Sequence, residues 1–427
     1  MNERGERPRG RGLPPDASAG LWVPVAAASL VLMITMGIRQ TVGLFVHPLV
    51  QATTMNIAEV SMALAIGQLM WGVFQPVVGA WADKKGAFSV LLAGAVLLAF
   101  GQVCTLWATS FAPMVLAQGL LSPAGAAAGS FSVLIGVVAG RLPPDKGSAA
   151  SGVINAGGSL GQFVFAPVVQ KVISLWNFSG GLLVLAFSAL LSILPAWLLC
   201  RRVGSGRAAS LPAVARGKER ADSGLGLKGQ VRAALRDPSY LLLHAGFFTC
   251  GFHVAFLTTH LPGEVGLCGH APSVSATSLS IIGLCNIAGS IGAGVLGRRF
   301  RMKLILAALY AFRALMIAAY LFAPKTETTF YIFAATTGLT WLATVPPTAG
   351  IVGKLFGTRY LATLFGLTLL THQVGAFLGA WFGGLAMEHS GNLLWVWHLD
   401  IALALLAAVV NLPIREAPPA PALSPAR

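Results

Sequence analysis

Charge is what this chain has least of. Only 10% of its 427 residues are Asp, Glu, Lys or Arg, against roughly 25% in soluble domains. Of the 29 Lys and Arg, only Arg39 and Arg313 fall inside long apolar stretches and away from their ends, and a soluble globular fold is thereby excluded. Acidic residues are scarcer still at 14, and none is expected at mid-membrane, since Glu59 and Asp400 are read as lying near the ends of their stretches. The five cysteines (Cys104, Cys200, Cys250, Cys268, Cys285) show neither a metal spacing nor a framework of pairs, and are read as small packing residues. No phosphate-cradling loop and no nucleophile with a base at a workable spacing appears. No enzyme activity, cofactor or metal is expected, and ATP is not the expected energy source.

Apolar length is what the chain has in abundance. Hydrophobic residues make up 56% of it and mean hydropathy is +0.75. Twelve runs, near 22–48, 58–81, 88–109, 113–139, 148–172, 178–200, 239–262, 274–296, 303–322, 329–352, 360–385 and 394–413, reach the ~20 residues a helix needs to cross a bilayer. Only helices satisfy every backbone group of an open chain in lipid, so the expected fold is an all-α membrane protein of twelve transmembrane helices.

The short connections between spans alternate in charge. With the N-terminus inside, 25 of the 29 Lys and Arg fall in inward segments and only Lys171 and Lys325 in outward ones. That asymmetry predicts a multi-pass protein of the cytoplasmic (inner) membrane with both termini cytoplasmic. The net charge of +15 is thus a topology signal aided by anionic lipid, and no nucleic-acid partner is expected.

The second half repeats the first at an offset of 214. Gly37 falls on Gly251, Arg39 on His253, Gly152 on Gly366 and Gly161 on Gly375. Two pseudo-symmetric six-helix bundles are the simplest explanation. The expected organisation is a cytoplasmic tail over 1–20, a first bundle over 21–200, a Gly, Ser, Ala and Arg-rich linker over 201–238, a second bundle over 239–413 and a tail over 414–427. Within the linker, some amphipathic helix is expected near Leu227 to Leu235. Pairs such as Gly125/Gly129, Gly157/Gly161 and Gly375/Gly379 have the small-x-x-x-small spacing that lets helices approach closely.

Gly79, Asp83, Lys84 and Gly86 match the signature Gly-x-x-x-Asp-(Arg/Lys)-x-Gly between the second and third spans, although Ala87 and Phe88 stand where a further base is usual. In this the chain resembles the major facilitator superfamily. The run from Ala150 to Gly161, containing Asn155 and Ser159, is similar to the monocarboxylate and oxalate/formate branch. The resemblance implies alternating access by two rocking halves, with the first, fourth, seventh and tenth helices lining the path. It also implies a conformational gate at Gly79, Asp83, Lys84, Gly86 and Arg141.

A cation in hydrocarbon needs a partner or a watery cavity. Arg39, in the middle-to-outer part of the first span beside Gln40, is read as a carboxylate-binding fork, with an Arg that snorkels or ties helix ends together as the competing reading. Arg313, in the ninth span, is read as structural. His253, at the place related to Arg39 by the repeat, is read both as a substrate contact and as the proton-coupling candidate, because histidine changes charge near neutral pH. A neutral core histidine is the competing reading. His372 with Gln373 in the eleventh span is a similar case. Asn155, Ser159 and Gln162 share one face of the fifth span, Asn286 lies in the eighth and Gln118 in the fourth, each either a ligand contact or helix glue. Trp341, before Pro346 and Pro347, is either a cavity wall or lipid-side packing.

The expected function is a secondary transporter of a small organic anion, a monocarboxylate in the first instance, with the proton as candidate coupling ion. The branch usually carries an acid in its first span and an acid-basic pair in its eighth, and this chain has neither. An alternative is a drug or metabolite exporter of the same fold. Against it, Gln162 follows Gly161 where antiporters tend to carry Gly-Pro. A non-transporting receptor or scaffold is a third reading. A monomer is expected.

Overall fold

A computed structural model describes residues 15–139, 147–201, 226–357 and 360–416, apart from the side chains of 15–21, 83, 139, 147–149 and 362. Among the described residues every regular element is helical. In the first half, α1 is Pro15–Gln40, α2 Ile57–Lys85, α3 Ala87–Thr105 and α4 Phe111–Val138. The next apolar stretch, Ala150–Arg201, has 52 residues, which at 1.5 Å per residue is more than twice a bilayer core. It folds back at Trp176 and Asn177, where the backbone leaves helical angles and Asn177 takes φ 58°. The stretch is therefore two spans, α5 (147–175) and α6 (178–201). In the second half, α7 is Pro238–Leu267, α8 Pro272–Leu296, α9 Met302–Phe322, α11 Leu361–Ser390 and α12 Leu394–Asn411. The remaining span, α10, is broken into Glu327–Thr340 and Val345–Phe356. Twelve crossings result. A short helix, Leu227–Ala234, precedes α7.

Local chemistry sets several of these limits. Asn56 begins α2 with a reciprocal capping box to Glu59, which satisfies two otherwise orphaned N–H groups. Gly86 ends it at φ 88°, an angle that costs glycine nothing and lets α3 start at once. Asp237 caps α7 through the N–H groups of Ser239 and Tyr240, with Pro238 at the first helical position. Pro346 and Pro347 open the second limb of α10, and their missing N–H groups fit the first turn of a helix but not an unbroken one.

The predicted repeat appears in the packing. In the first half, a Cβ on Gly161 of α5 would strike the Met33 carbonyl oxygen of α1. In the second, Gly375 of α11 stands in the same way against the Phe248 carbonyl oxygen of α7, and Gly251 against the His372 carbonyl oxygen. Both pairs pack backbone on backbone, as small residues permit in lipid.

The halves meet through α2 with α11 and α5 with α8. At mid-depth Gly72 adjoins Gln373, and Gly283 adjoins the backbone of Ser159 and Phe163. Toward the face opposite the chain termini the approach is also close, with Gly384 against Ser61 and Gly43 against the Thr258 carbonyl oxygen. At the terminal face of the same four helices, a Cβ on Gly79, Gly152, Gly292, Gly294 or Gly366 would meet nothing within 4 Å among the described residues, so these positions leave space.

Candidate functional site

Among the bonded polar side chains of the described residues, three groups contain residues singled out in the sequence. The first is built on Arg39, in the last turn of α1. Its Nη2 donates to Oε1 of Gln68 on α2, and the guanidinium lies 3.9 Å from the centroid of the Trp71 ring. Gln68 and Trp71 share one helix face at i, i+3. A cation over indole is worth about 0.5 to 2 kcal/mol according to its burial, and the two partners together hold the head group. Gln68 uses one of five guanidinium donors, and Arg39 is half-buried.

A pocket beside Arg39 and Gln68 runs into the first half, with Gln102, Gln118 and Ser122 among its lining. Gln118 Nε2 donates to Thr105 Oγ1 at 2.8 Å, and Gln102 Nε2 to Ser122 Oγ at 3.1 Å. Gln118 lies in a π-helical turn, Val115–Leu121, inside α4, a feature common at functional sites. Facing this group from the second half are Gln373, against Gly72 next to Trp71, and His372. Gln373 Nε2 donates to His372 Nδ1 at 3.1 Å, which leaves the ring proton on Nε2 as a donor. The ring lies 4.9 Å from that of Phe247 on α7, within electrostatic reach of both Arg39 and Arg313. Arg39, Gln118, His372 and Gln373, read separately in the sequence, thus belong to one neighbourhood.

The second group joins the halves. Asn286 on α8 donates from Nδ2 to Ser159 Oγ on α5 at 2.9 Å, while its Oδ1 accepts from Ser290 Oγ at 3.1 Å and from the Leu342 N–H at 3.0 Å. Leu342 lies in the break of α10. Gln162 is buried beside Gly283 with its amide nitrogen unpartnered among the described residues. Gln40 and Asn155 are half-buried and join none of the three groups.

The third group lies inside the second half. His253 Nδ1 is 2.5 Å from Asp400 Oδ2, and both side chains are fully buried. Asp400 stands six residues into α12, about 9 Å along the helix, and not at a solvated end. Asp400, read in the sequence as near the end of its span, is thus a fully buried partner of His253. The signal available was its place inside an apolar run that an antiparallel neighbour could bring level with His253. His253 is accordingly away from the pocket beside Arg39. Arg313, also buried, donates from Nη2 to the Thr340 carbonyl oxygen at 2.6 Å and to that of Trp341 at 3.3 Å. The break in α10 is therefore held on one side by Arg313 and on the other by Asn286. Trp341, read as a cavity wall or as lipid-side packing, is fully buried, its ring 5.9 Å from that of His253.

Of the gate residues, Gly79 and Gly86 are placed as above and Lys84 is exposed. The Asp83 side chain and Arg141 lie outside the described residues, as do most of the linker and both tails. At the terminal face, the Glu416 carboxylate accepts from the N–H groups of Met302 and Lys303 at the start of α9 and pairs with Lys354 Nζ at 2.5 Å. Burial works against this anion, but the bonds from Lys354, Lys303 and Met302 outweigh it and hold the carboxyl below its ordinary pKa. No sequence signal singled out Glu416, because its partners are distant in the chain.

The described geometry agrees with comparisons to known proteins. The family model for the Major Facilitator Superfamily matches residues 28–380. Monocarboxylate transporter 13 of Rattus norvegicus is 25% identical over 388 residues, covering 89% of this chain and 85% of the relative. The Bos taurus protein of the same name is 26% identical over 393 residues, covering 90% and 86%. Among solved structures, a bacterial homolog of the human lysosomal transporter Spinster, inward-facing and unoccupied, superposes with a TM-score of 0.64 at 15% identity, covering 94% of this chain and 95% of that one. The chain is a multi-pass integral membrane protein and belongs to the Major Facilitator Superfamily.

Proposed function

We propose that this chain is a secondary active transporter that carries a small organic anion, a monocarboxylate in the first instance, across the cytoplasmic membrane by rocking its two halves about a midplane site. Arg39 carries the reading. Its guanidinium is held by Gln68 and Trp71, is paired with no carboxylate among the described residues, and lies within electrostatic reach of His372. A carboxylate that accepts from a guanidinium and an imidazole N–H is the ligand this arrangement suits. The relatives named monocarboxylate transporters support the same class. The terminal face is the cytoplasmic one in this reading, the conformation is open to the cytoplasm, and a proton is the coupling ion. The protein acts as a monomer, and is not an enzyme. The test is uptake of labelled lactate, pyruvate and mandelate into proteoliposomes with and without a pH gradient. Uptake above protein-free vesicles, lost in Arg39→Ala, is expected. Equality with protein-free vesicles for all three acids sinks the reading.

A further inference from the structure

We infer that His253, Asp400 and Arg313 form a proton-binding site buried in the second half, apart from the anion site, whose occupancy reaches the boundary between the halves through the break in α10. This rests on the transport reading above and says where its coupling proton is held.

The dyad has a definite polarity. An ionised Asp400 can only accept, so the bond at 2.5 Å places the ring proton on His253 Nδ1 and leaves Nε2 as the acceptor. Among the described residues His253 Nε2 has no partner, and neither does Asp400 Oδ1. A buried polar atom without a bond is uncommon and calls for a role. The incoming proton binds Nε2, and the resulting imidazolium stays paired with the carboxylate, which orients the ring and offsets its charge.

The surroundings set when that proton is held. Arg313 approaches from α9 together with Tyr310, and Cys250 lies on α7 itself. Trp341 and Thr344 stand on α10, with Cys250 Sγ 3.2 Å from Thr344 Oγ1. On α11 stands His372, within electrostatic reach of Arg313, and on α8 stands Cys285, against Gly338 of α10. Glu264, bonded to Tyr320, and His260, bonded to the Ala380 carbonyl oxygen, lie nearer the opposite face. With His253 neutral, Arg313 and Asp400 cancel. One added proton leaves an excess positive charge in a low-dielectric interior, and that excess is relieved when an anion occupies the neighbouring site. Anion and proton thus favour each other's binding, and by linkage the effect is mutual.

Transmission has a physical carrier. Arg313 holds the Thr340 and Trp341 carbonyl oxygens, and Asn286 holds the Leu342 N–H of the same break together with Ser159 of the first half. An imidazolium at His253 repels Arg313, and any shift of that guanidinium moves the break and the bond between the halves.

Proteoliposomes bearing wild type, His253→Gln or Asp400→Asn separate the possibilities, with labelled lactate, pyruvate and mandelate as probes. Counterflow, in which labelled acid exchanges for unlabelled acid without a gradient, tests transport itself: its absence in wild type defeats the transport reading. With counterflow present, both variants are expected to lose at least tenfold of the uptake driven by an inside-alkaline gradient, while counterflow falls no more than threefold. Variants that keep wild-type stimulation by the gradient overturn the inference. Should neither variant give monodisperse protein, wild type in weakly buffered detergent decides. Uptake of about one proton per protein on addition of the transported acid supports the site, and uptake below about 0.2 overturns it.

Discussion

Asn286 donates to Ser159 across the boundary between the halves at 2.9 Å while accepting from the Leu342 N–H at the break of α10 at 3.0 Å. One amide therefore ties the first half to the discontinuous helix of the second. Ser159→Ala removes one bond, and Asn286→Ala also leaves a backbone N–H unpaired. Hydrogen bonds between membrane helices average about 0.6 kcal/mol, and an orphaned buried donor costs about 1 to 3 kcal/mol. Asn286→Ala should therefore destabilise more than Ser159→Ala in detergent unfolding. The double variant should show a coupling near 0.6 kcal/mol, and strict additivity would remove the bond from the account.

Arg39 makes a planar contact with Trp71 as well as a bond to Gln68. Lysine can supply the charge but neither the planar stack nor a two-pronged grip on a carboxylate. Arg39→Lys is expected to lower anion uptake at saturating gradient by about tenfold, equivalent to about 1.4 kcal/mol, and Arg39→Ala by more. Gln68→Ala should raise the half-saturating concentration with a smaller loss of maximal rate. Full uptake by Arg39→Lys would exclude the bidentate role.

The helical count and the pseudo-repeat were legible because lipid leaves the chain few choices: apolar length decides the spans, and Gly161 and Gly375 recur where backbones must touch. Arg39 stood out because charge in an apolar run is rare. Its partners did not, since Trp71 is one aromatic among many until helix packing places it over the guanidinium. The pairing of His253 with Asp400 spans 147 residues and depends on which faces of α7 and α12 meet, information that spacing along one helix does not contain. Asp400 looked like a span-end acid for that reason. The two roles open to Asn286, ligand contact or glue, turn on which helices meet, and the structure shows it making three bonds within the protein.

Glu416 gives a pH dependence with a fixed sign. Its carboxyl is held below the ordinary carboxylate value of 4.5 by Lys354 and the N–H groups of Met302 and Lys303. A lowered carboxylate pKa stabilises the fold above the unfolded value and loses that effect as pH falls through the folded one. The strap from Pro413 to Glu416 should thus stay protected at neutral pH and loosen below pH 4.5. Hydrogen exchange at the Met302 and Lys303 amides reads this directly. Glu416→Gln should raise their exchange at pH 7 and flatten its dependence on pH, and unchanged exchange would contradict the strap.

The glycines of the boundary helices predict opposite effects at the two levels. Gly161→Ala and Gly375→Ala push a methyl group into the backbones of α1 and α7, and overpacking of this kind costs about 1 to 3 kcal/mol. Gly152→Ala and Gly366→Ala meet open space at the terminal face, and alanine in a helix is favoured over glycine by up to about 1 kcal/mol. They should leave melting temperature unchanged or raised. If the halves close at this face during the cycle, bulk there obstructs closure without harming the fold. Gly366→Trp should therefore keep a wild-type melting temperature, yet abolish uptake and hold cysteines introduced at the two sides of the opening beyond cross-linking range. A Gly366→Trp protein that transports at the wild-type rate would mean that these four helix ends do not come together, and that access alternates by some other motion.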